Sequence, residues 1–219
     1  MMTNYVKLRQ QMIDEQLVGR GLKDQVVLDA IGAVPREAFV PPDLVDYAYK
    51  DSALPIEISQ TISQPYIVAL MTSALDLTPT DRVLEVGTGS GYSAAVLAEI
   101  AAEVYTIERH QFLADTARER LDNLGYHNIR IKHGDGTLGW IEEAPFDAIV
   151  VTAAGPEIPE TLKRQLVIGG RLVIPVGETK GVQKLILIKR IDNEEYTSID
   201  LGAVRFVPLI GASGWSSES

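Results

Sequence analysis

Residues 82–92, RVLEVGTGSGY, run from a β-branched, apolar segment into glycines at 87, 89 and 91 and then into an apolar helical pattern. A strand, a glycine-rich turn and a helix in that order present unpaired main-chain N–H groups at the helix start and let a ligand approach the backbone closely. The next strand-like run, VYTIE (104–108), ends in Glu108, which lies 108 − 87 = 21 residues past the first glycine. A doubly wound fold places there the acid that accepts ribose hydroxyls, and a carboxylate disfavours a ribose carrying a 2′-phosphate. The third glycine of a dinucleotide fingerprint is absent, because its position is Tyr92. After NIRIKH (128–133) the turn GDG (134–136) puts Asp135 at the end of a third strand. That carboxylate can accept from an adenine amino group or serve simply as a turn residue. A loop, a ribose acid and a further acid suit a nucleoside without a pyrophosphate.

Working outward, DAIVV (147–151) and RLVIP (171–175) read as further strands, and residues 91–101, 110–124 and about 157–166 as helices. Strands separated by helices imply right-handed crossovers and a mainly parallel sheet. LILIKRI (185–191) and residues 196–207 are joined only by the acidic turn DNEE, so they are expected to form an antiparallel pair. Upstream, Leu8, Met12, Ile13 and Leu17 recur at helical spacing up to Gly19 and Gly21, and Asp24 is placed to cap a second helix through Ile31. VPREAFVPPDL (34–44) carries three prolines and is irregular. From Leu54 to Ser63 alternation predicts an extended ledge with Glu57, Ser59, Thr61 and Ser63 on its polar side, and Pro65 then starts a helix, with Ser63 placed to cap it. The expectation is an α/β chain with a doubly wound, mainly parallel sheet of Rossmann-like type, an antiparallel C-terminal strand pair and an N-terminal helical segment. It is read as a single domain over residues 1–219, in which residues 1–78 pack on a cofactor-binding core of residues 79–219.

With 30 acidic against 20 basic side chains the net charge is −10, which repels a phosphate backbone and argues against nucleic acid as a partner. There is no cysteine, so disulfides, thiolate metal sites and a cysteine nucleophile are excluded. The first twenty residues carry charges throughout and no window reaches the roughly 20 apolar residues of a membrane helix, so the expected location is the cytoplasm. His110, His127 and His133 lack metal-ligand spacing, and no metal is expected. No G-x-S-x-G elbow occurs, and Ser90 lies within the glycine loop.

VLEVGTGSGY, VYTIER, the GDG turn and FDAIVVTAA resemble the successive motifs of S-adenosylmethionine-dependent methyltransferases with a seven-stranded sheet. TISQPYIVALMT, VPREAFVP, AAGPEIP, GGRLVIPVG and VRFVPLIG are similar to stretches characteristic of the protein-L-isoaspartate O-methyltransferases, and the likeness covers nearly the whole chain. The resemblance implies binding of S-adenosylmethionine, release of S-adenosylhomocysteine, and methylation of the free α-carboxyl of L-isoaspartyl residues in damaged proteins and peptides; the oligomeric state is not given by the sequence, and a monomer is the expectation. It also implies that Thr61 and Ile62 contact the cofactor, that Glu85, Gly87 and Gly89 lie along its methionine part, and that Glu108 takes the ribose, with Asp135 and Gly136 at the adenine. Ser63 matches the family's active-site serine, and Val204, Arg205, Phe206 and Val207 match the segment beside the bound peptide. The family usually has glycine where this chain has Ser59, a change that removes freedom to adopt positive φ.

The implied chemistry suits the residues present. An α-carboxyl has a reference pKa of roughly 3.5, so at neutral pH it is already the nucleophile and needs no strong base. A serine hydroxyl can orient it without adding charge, and the remaining work is alignment and removal of water. Three alternatives stay open on sequence alone. They are a same-fold methyltransferase with another acceptor, a non-catalytic S-adenosylmethionine-binding module, and an NAD-dependent oxidoreductase, which Tyr92 disfavours.

Overall fold

The computed structural model describes residues 4–179 and 181–216. Its centre is strand β3 (Arg82–Val86), with four of its five residues buried, as a strand covered on both faces requires. The shorter preceding elements are helices α1 (Tyr5–Met12) and α2 (Gln25–Ala33), a two-stranded hairpin of β1 (Leu54–Pro55) and β2 (Thr61–Ile62), and helix α3 (Pro65–Ala74). Beyond β3 come α4 (Tyr92–Ala98), β4 (Glu103–Glu108), α5 (Gln111–Asn123), β5 (Ile129–His133), β6 (Phe146–Val151), α6 (Glu160–Arg164), β7 (Leu166–Val176), β8 (Gln183–Arg190) and β9 (Tyr196–Val204).

The main sheet has the order β5-β4-β3-β6-β7-β8-β9. β3 through β7 pair in parallel, and β8 and β9 add antiparallel strands at one edge. The chain winds outward from β3 through β4 and β5, then returns to place β6 on the other side of β3. Order therefore reverses between β3 and β6, and the crevice at their carboxyl ends is where such sheets bind ligands. The DNEE turn forms as expected, with Asp192 Oδ1 accepting from the N–H groups of Glu194 and Glu195 at 2.9 and 2.8 Å. β7 begins earlier than alternation predicts, because Leu166 pairs with Phe146 and Gly169, at φ 84°, carries the strand through an irregular step. α6 is correspondingly short, starting after Pro159.

The N-terminal segment lies against the α4 and α5 side. Met12, Leu17, Ile31 and Phe39 share one apolar cluster with Tyr92, Val96 and Leu113. Asp24 caps α2 by accepting from Val27 N at 3.3 Å. Arg9 donates to the Tyr49 hydroxyl at 3.0 Å and to Gly32 O at 2.9 Å, while that hydroxyl donates to Glu37, so α1, the end of α2 and the proline-rich stretch are fastened together. Arg171 in β7 donates to Leu75 O at 2.6 Å and pairs with Asp81 at 2.7 Å, fixing the end of α3 to the sheet. Among the described residues no helix is long and apolar enough to cross a membrane.

The predicted extended ledge is not extended. Leu54 pairs with Ile62 and Pro55 with Thr61 across a tight turn at Glu57–Ser59, where Ile58 and Ser59 both take positive φ, 55° and 56°. Two successive left-handed residues reverse the chain, so the two halves of the apparent alternation face each other and Ile58 is exposed. Ser63 does not cap α3 either: the cap is Gln64, without a side-chain hydrogen bond, and Pro65 stands in the first turn. Ser59 thus occupies a backbone conformation that suits glycine. Ser59→Gly is expected to raise unfolding free energy by about 0.5–1 kcal/mol in urea titration, the relief of left-handed strain exceeding the added chain entropy.

Candidate active site

The glycine loop leaves β3 with Gly87, Gly89 and Gly91 at φ 100°, 53° and 90°. A Cβ on Gly87 would stand 2.2 Å from Thr152 Oγ1. That hydroxyl donates to Gly87 O at 2.7 Å and lies within 3.0 Å of Val86 O, tying the loop to the end of β6 across the point of strand reversal. On the far side of the loop, Arg120 from α5 donates to Ser90 O at 2.6 Å. The loop is therefore held by its neighbours before any ligand arrives.

A cavity of about 330 Å³ opens above it. Its floor is Gly87, Thr88, Gly89 and Ser90; Ile107, Glu108 and His110 form one wall; Gln60 to Ser63 and Val207 to Ile210 form the others. Each Glu108 oxygen accepts one main-chain N–H, from Gly89 and from His110, both at 2.9 Å, leaving a lone pair on each for a diol. The closing segment is pinned through Ala154, whose N–H donates to Val207 O and whose carbonyl accepts from Leu209 N, both at 2.8 Å.

Glu85 and Asp135 do not line this cavity, although Gly136 does. Asp135 spends its carboxylate on the protein, accepting from Thr137 N at 2.9 Å, Thr137 Oγ1 at 2.7 Å and Ala212 N at 2.7 Å, which ties the C-terminal segment to the GDG turn. Glu85 is fully buried beneath the loop and accepts from Thr106 Oγ1 at 2.6 Å, with Thr88 Oγ1 2.7 Å from Thr106 Oγ1. Burial pushes its pKa up to about 7; hydrogen bonds from Thr106 and Ser93 oppose that, and the nearby Glu108 charge adds to it.

A second cavity, of about 430 Å³, adjoins the first. Val204, Arg205 and Phe206 line it, whereas Val207 lines the first. Phe206 is held by its N–H donating to the buried Gln183 side chain at 2.9 Å. Facing it is Arg20, whose guanidinium lies 3.5 Å from the Tyr66 ring centroid and pairs with Asp51 at 3.2 Å. Among the described residues no carboxylate lines this cavity. Thr61 and Ser63 line both cavities, and Ser63 Oγ has no hydrogen-bond partner among the described residues. Thr152, Arg120 and Arg20 escaped the sequence reading, since each acts on residues distant in the chain; only a threonine ending an apolar strand hinted at the first.

A cavity at a strand-order reversal, floored by a glycine loop without the dinucleotide fingerprint and walled by the carboxylate that ends the next strand, together with two appended antiparallel strands, is the arrangement of an S-adenosylmethionine-dependent methyltransferase of Rossmann-like fold. Residues 7–214 match the family described as protein-L-isoaspartate(D-aspartate) O-methyltransferase, and the chain belongs to that family. It is 58% identical to protein-L-isoaspartate O-methyltransferase 2 of Pelobacter propionicus, over 94% of this chain and 92% of that one. It is 56% identical to protein-L-isoaspartate O-methyltransferase 1 of Geotalea uraniireducens, over 97% of each. Among solved structures, one protein-L-isoaspartate O-methyltransferase superposes with TM-score 0.84 at 31% identity, covering 94% of this chain and 67% of the other. A second, from Plasmodium falciparum and described in complex with S-adenosyl-L-homocysteine, gives TM-score 0.78 at 27% identity over 95% and 99% of the two chains.

The raised pKa of Glu85 sets a pH dependence. The folded chain holds this proton up to about pH 7 and the unfolded chain only to about 4.5, so the folded state binds more protons between those values and its stability falls as pH rises through them. Glu85→Gln should remove that slope. In urea titrations without cofactor, the variant is expected to gain up to about 3 kcal/mol on the native chain between pH 4.5 and 7, with no further divergence above.

Proposed function

We propose that this enzyme transfers a methyl group from S-adenosylmethionine to the free α-carboxyl of L-isoaspartyl residues in damaged proteins and peptides. We propose further that it acts as a monomeric single domain in the cytoplasm, where ageing proteins accumulate such residues. The observation that carries this reading is the position of Ser63, with an uncommitted hydroxyl at the junction of the two cavities. A polar group there can serve an acceptor in one cavity at the border of the other.

The first cavity fits the cofactor by its donor set. Glu108 offers two lone pairs to a ribose diol, the Gly87–Ser90 backbone offers close approach, and Ile107 and Leu209 offer apolar faces to a base. Gly136, Thr61 and Ile62 complete its walls. Asp135 supports the adenine end by holding the C-terminal segment in place, and Glu85 supports the loop from below. When bound, S-adenosylmethionine supplies a methyl group on a sulfonium, which a carboxylate can accept without metal or base.

The chain's own residues do the rest. Arg205 gives the second cavity positive charge in a chain of net charge −10, which favours entry of a carboxylate, while Arg20, its charge offset by Asp51, offers further N–H donors. Ser63 Oγ donates to that carboxylate and orients it, and being neutral it leaves the oxygen's nucleophilicity largely intact. Val204 to Phe206 offer backbone and an aromatic face to an extended peptide, while Val207 to Ile210 shield the junction from water.

Incubation with labelled S-adenosylmethionine and matched peptides is expected to yield base-labile methyl ester on the isoaspartyl peptide and not on the aspartyl one; equal labelling would overturn the reading. Ser63→Ala should lower kcat by roughly 10- to 100-fold, as loss of a hydrogen bond to a charged group does, with S-adenosylhomocysteine affinity preserved. Arg205→Glu should raise KM for the isoaspartyl peptide by roughly threefold to fivefold, an increase that shrinks in added salt, with kcat little changed.

A further inference from the structure

Among the described residues Arg36 is the largest fully buried side chain, and its guanidinium pairs with no carboxylate among them. Its partners are main-chain oxygens and a ring. Nε donates to Ala48 O at 2.8 Å, Nη2 donates to Ser63 O at 2.8 Å, and the guanidinium carbon lies 4.6 Å from the Tyr92 ring centroid. Ala48 and Ser63 are the two ends of the excursion that carries the β1–β2 hairpin, so one planar fork spans the base of that excursion. Tyr92 is the first residue of α4, directly after the glycine loop, and lines the first cavity.

Ser63 is therefore fixed from three directions. The Ile62–Leu54 pairing holds it on one side, Pro65 restricts the chain on the other, and Arg36 grips its carbonyl, while its hydroxyl stays free. Burying a guanidinium without a counter-ion is costly, and burial of an apolar residue would serve packing alone at less cost. We infer that Arg36 is a positioning residue for the reaction, a clasp that sets Ser63 at the junction of the two cavities by bridging Ala48 O and Ser63 O while resting on Tyr92. Lysine cannot replace it, because a single ammonium lacks the planar fork that reaches two carbonyls and stacks on a ring.

This inference rests on the proposed methyl transfer to isoaspartyl peptide, and a double-mutant cycle tests it. Arg36→Lys is expected to lower kcat by about tenfold or more in the native chain, as small misplacements of a reacting group do, with S-adenosylhomocysteine affinity by calorimetry changed by less than about threefold. In the Ser63→Ala background the same substitution should cost less than about twofold, because the group it positions is gone. Losses that multiply, or an affinity that falls as steeply as kcat, would overturn the clasp and make Arg36 a packing residue. Should Arg36→Lys not fold, Arg36→Gln, uncharged when buried, is carried through the same cycle against the same outcomes. A native chain that leaves the isoaspartyl peptide unmethylated would sink the functional reading and this inference with it, whereas an active native chain with multiplying losses sinks the clasp alone.

Discussion

The structure depends on how the backbone turns at the carboxyl end of β3. Three glycines with positive φ take the chain off the sheet in a loop flat enough to form the floor of a cavity, and Thr152 packs so close to Gly87 that no side chain fits between them. Because β6 lies beside β3 through the reversal of strand order, the threonine just after β6 reaches the loop that follows β3. The topology therefore supplies the crevice and the glycines make its floor passable. Everything else in the site is placed relative to that floor: Glu108 from the adjacent strand, the hairpin and α3 from one side, residues 207–210 from the other.

Two buried ionisable groups flank the loop, and neither is neutralised by an opposite charge. Glu85 lies beneath it with a pKa pushed to about 7 and Thr106 as donor; Arg36 lies behind Tyr92 and uses carbonyls and a ring. An ion pair buried in either position would have satisfied charge but fixed only two side chains. Hydrogen bonds to main-chain atoms fix backbone instead, and backbone placement is what a site assembled from a loop, a hairpin and a C-terminal segment requires. The same economy governs Asp135, whose three donors come from its own turn and from Ala212.

Much of this was legible in the sequence where the signal was local. The strand-loop-helix at 82–92, the carboxylate at 108, the alternation of strands and helices and the antiparallel ending all follow from periodicity, spacing and turn chemistry; the structure has each of these, with Glu108 in the cavity wall. What alternation misread was the hairpin at 54–62: apolar residues at even spacing fit a continuous strand equally well, and only the positive φ of Ile58 and Ser59 separates the two. Ser59 in place of the family's usual glycine concealed the turn by removing its one local marker. Glu85 and Asp135 show a different limit. Spacing put Asp135 beside the loop and the family resemblance put Glu85 along the cofactor, yet neither lines the cavity, because the direction of each side chain depends on partners at Ala212 and Thr106 that lie 77 and 21 residues away.

The free hydroxyl of Ser63 gains meaning from that arrangement. A hydroxyl without a partner among the described residues, at the meeting point of two cavities, is free to serve a ligand. Its backbone is fixed by strand pairing, by Arg36 and by Pro65, so binding need not order it. In the proposed reaction an acceptor carboxylate would enter past Arg205 and the Asp51-paired Arg20 and meet a neutral donor at the junction. That order separates capture from reaction: charge draws the carboxylate in where screening by water keeps the attraction modest, and the group that finally orients it does not hold it too tightly to react.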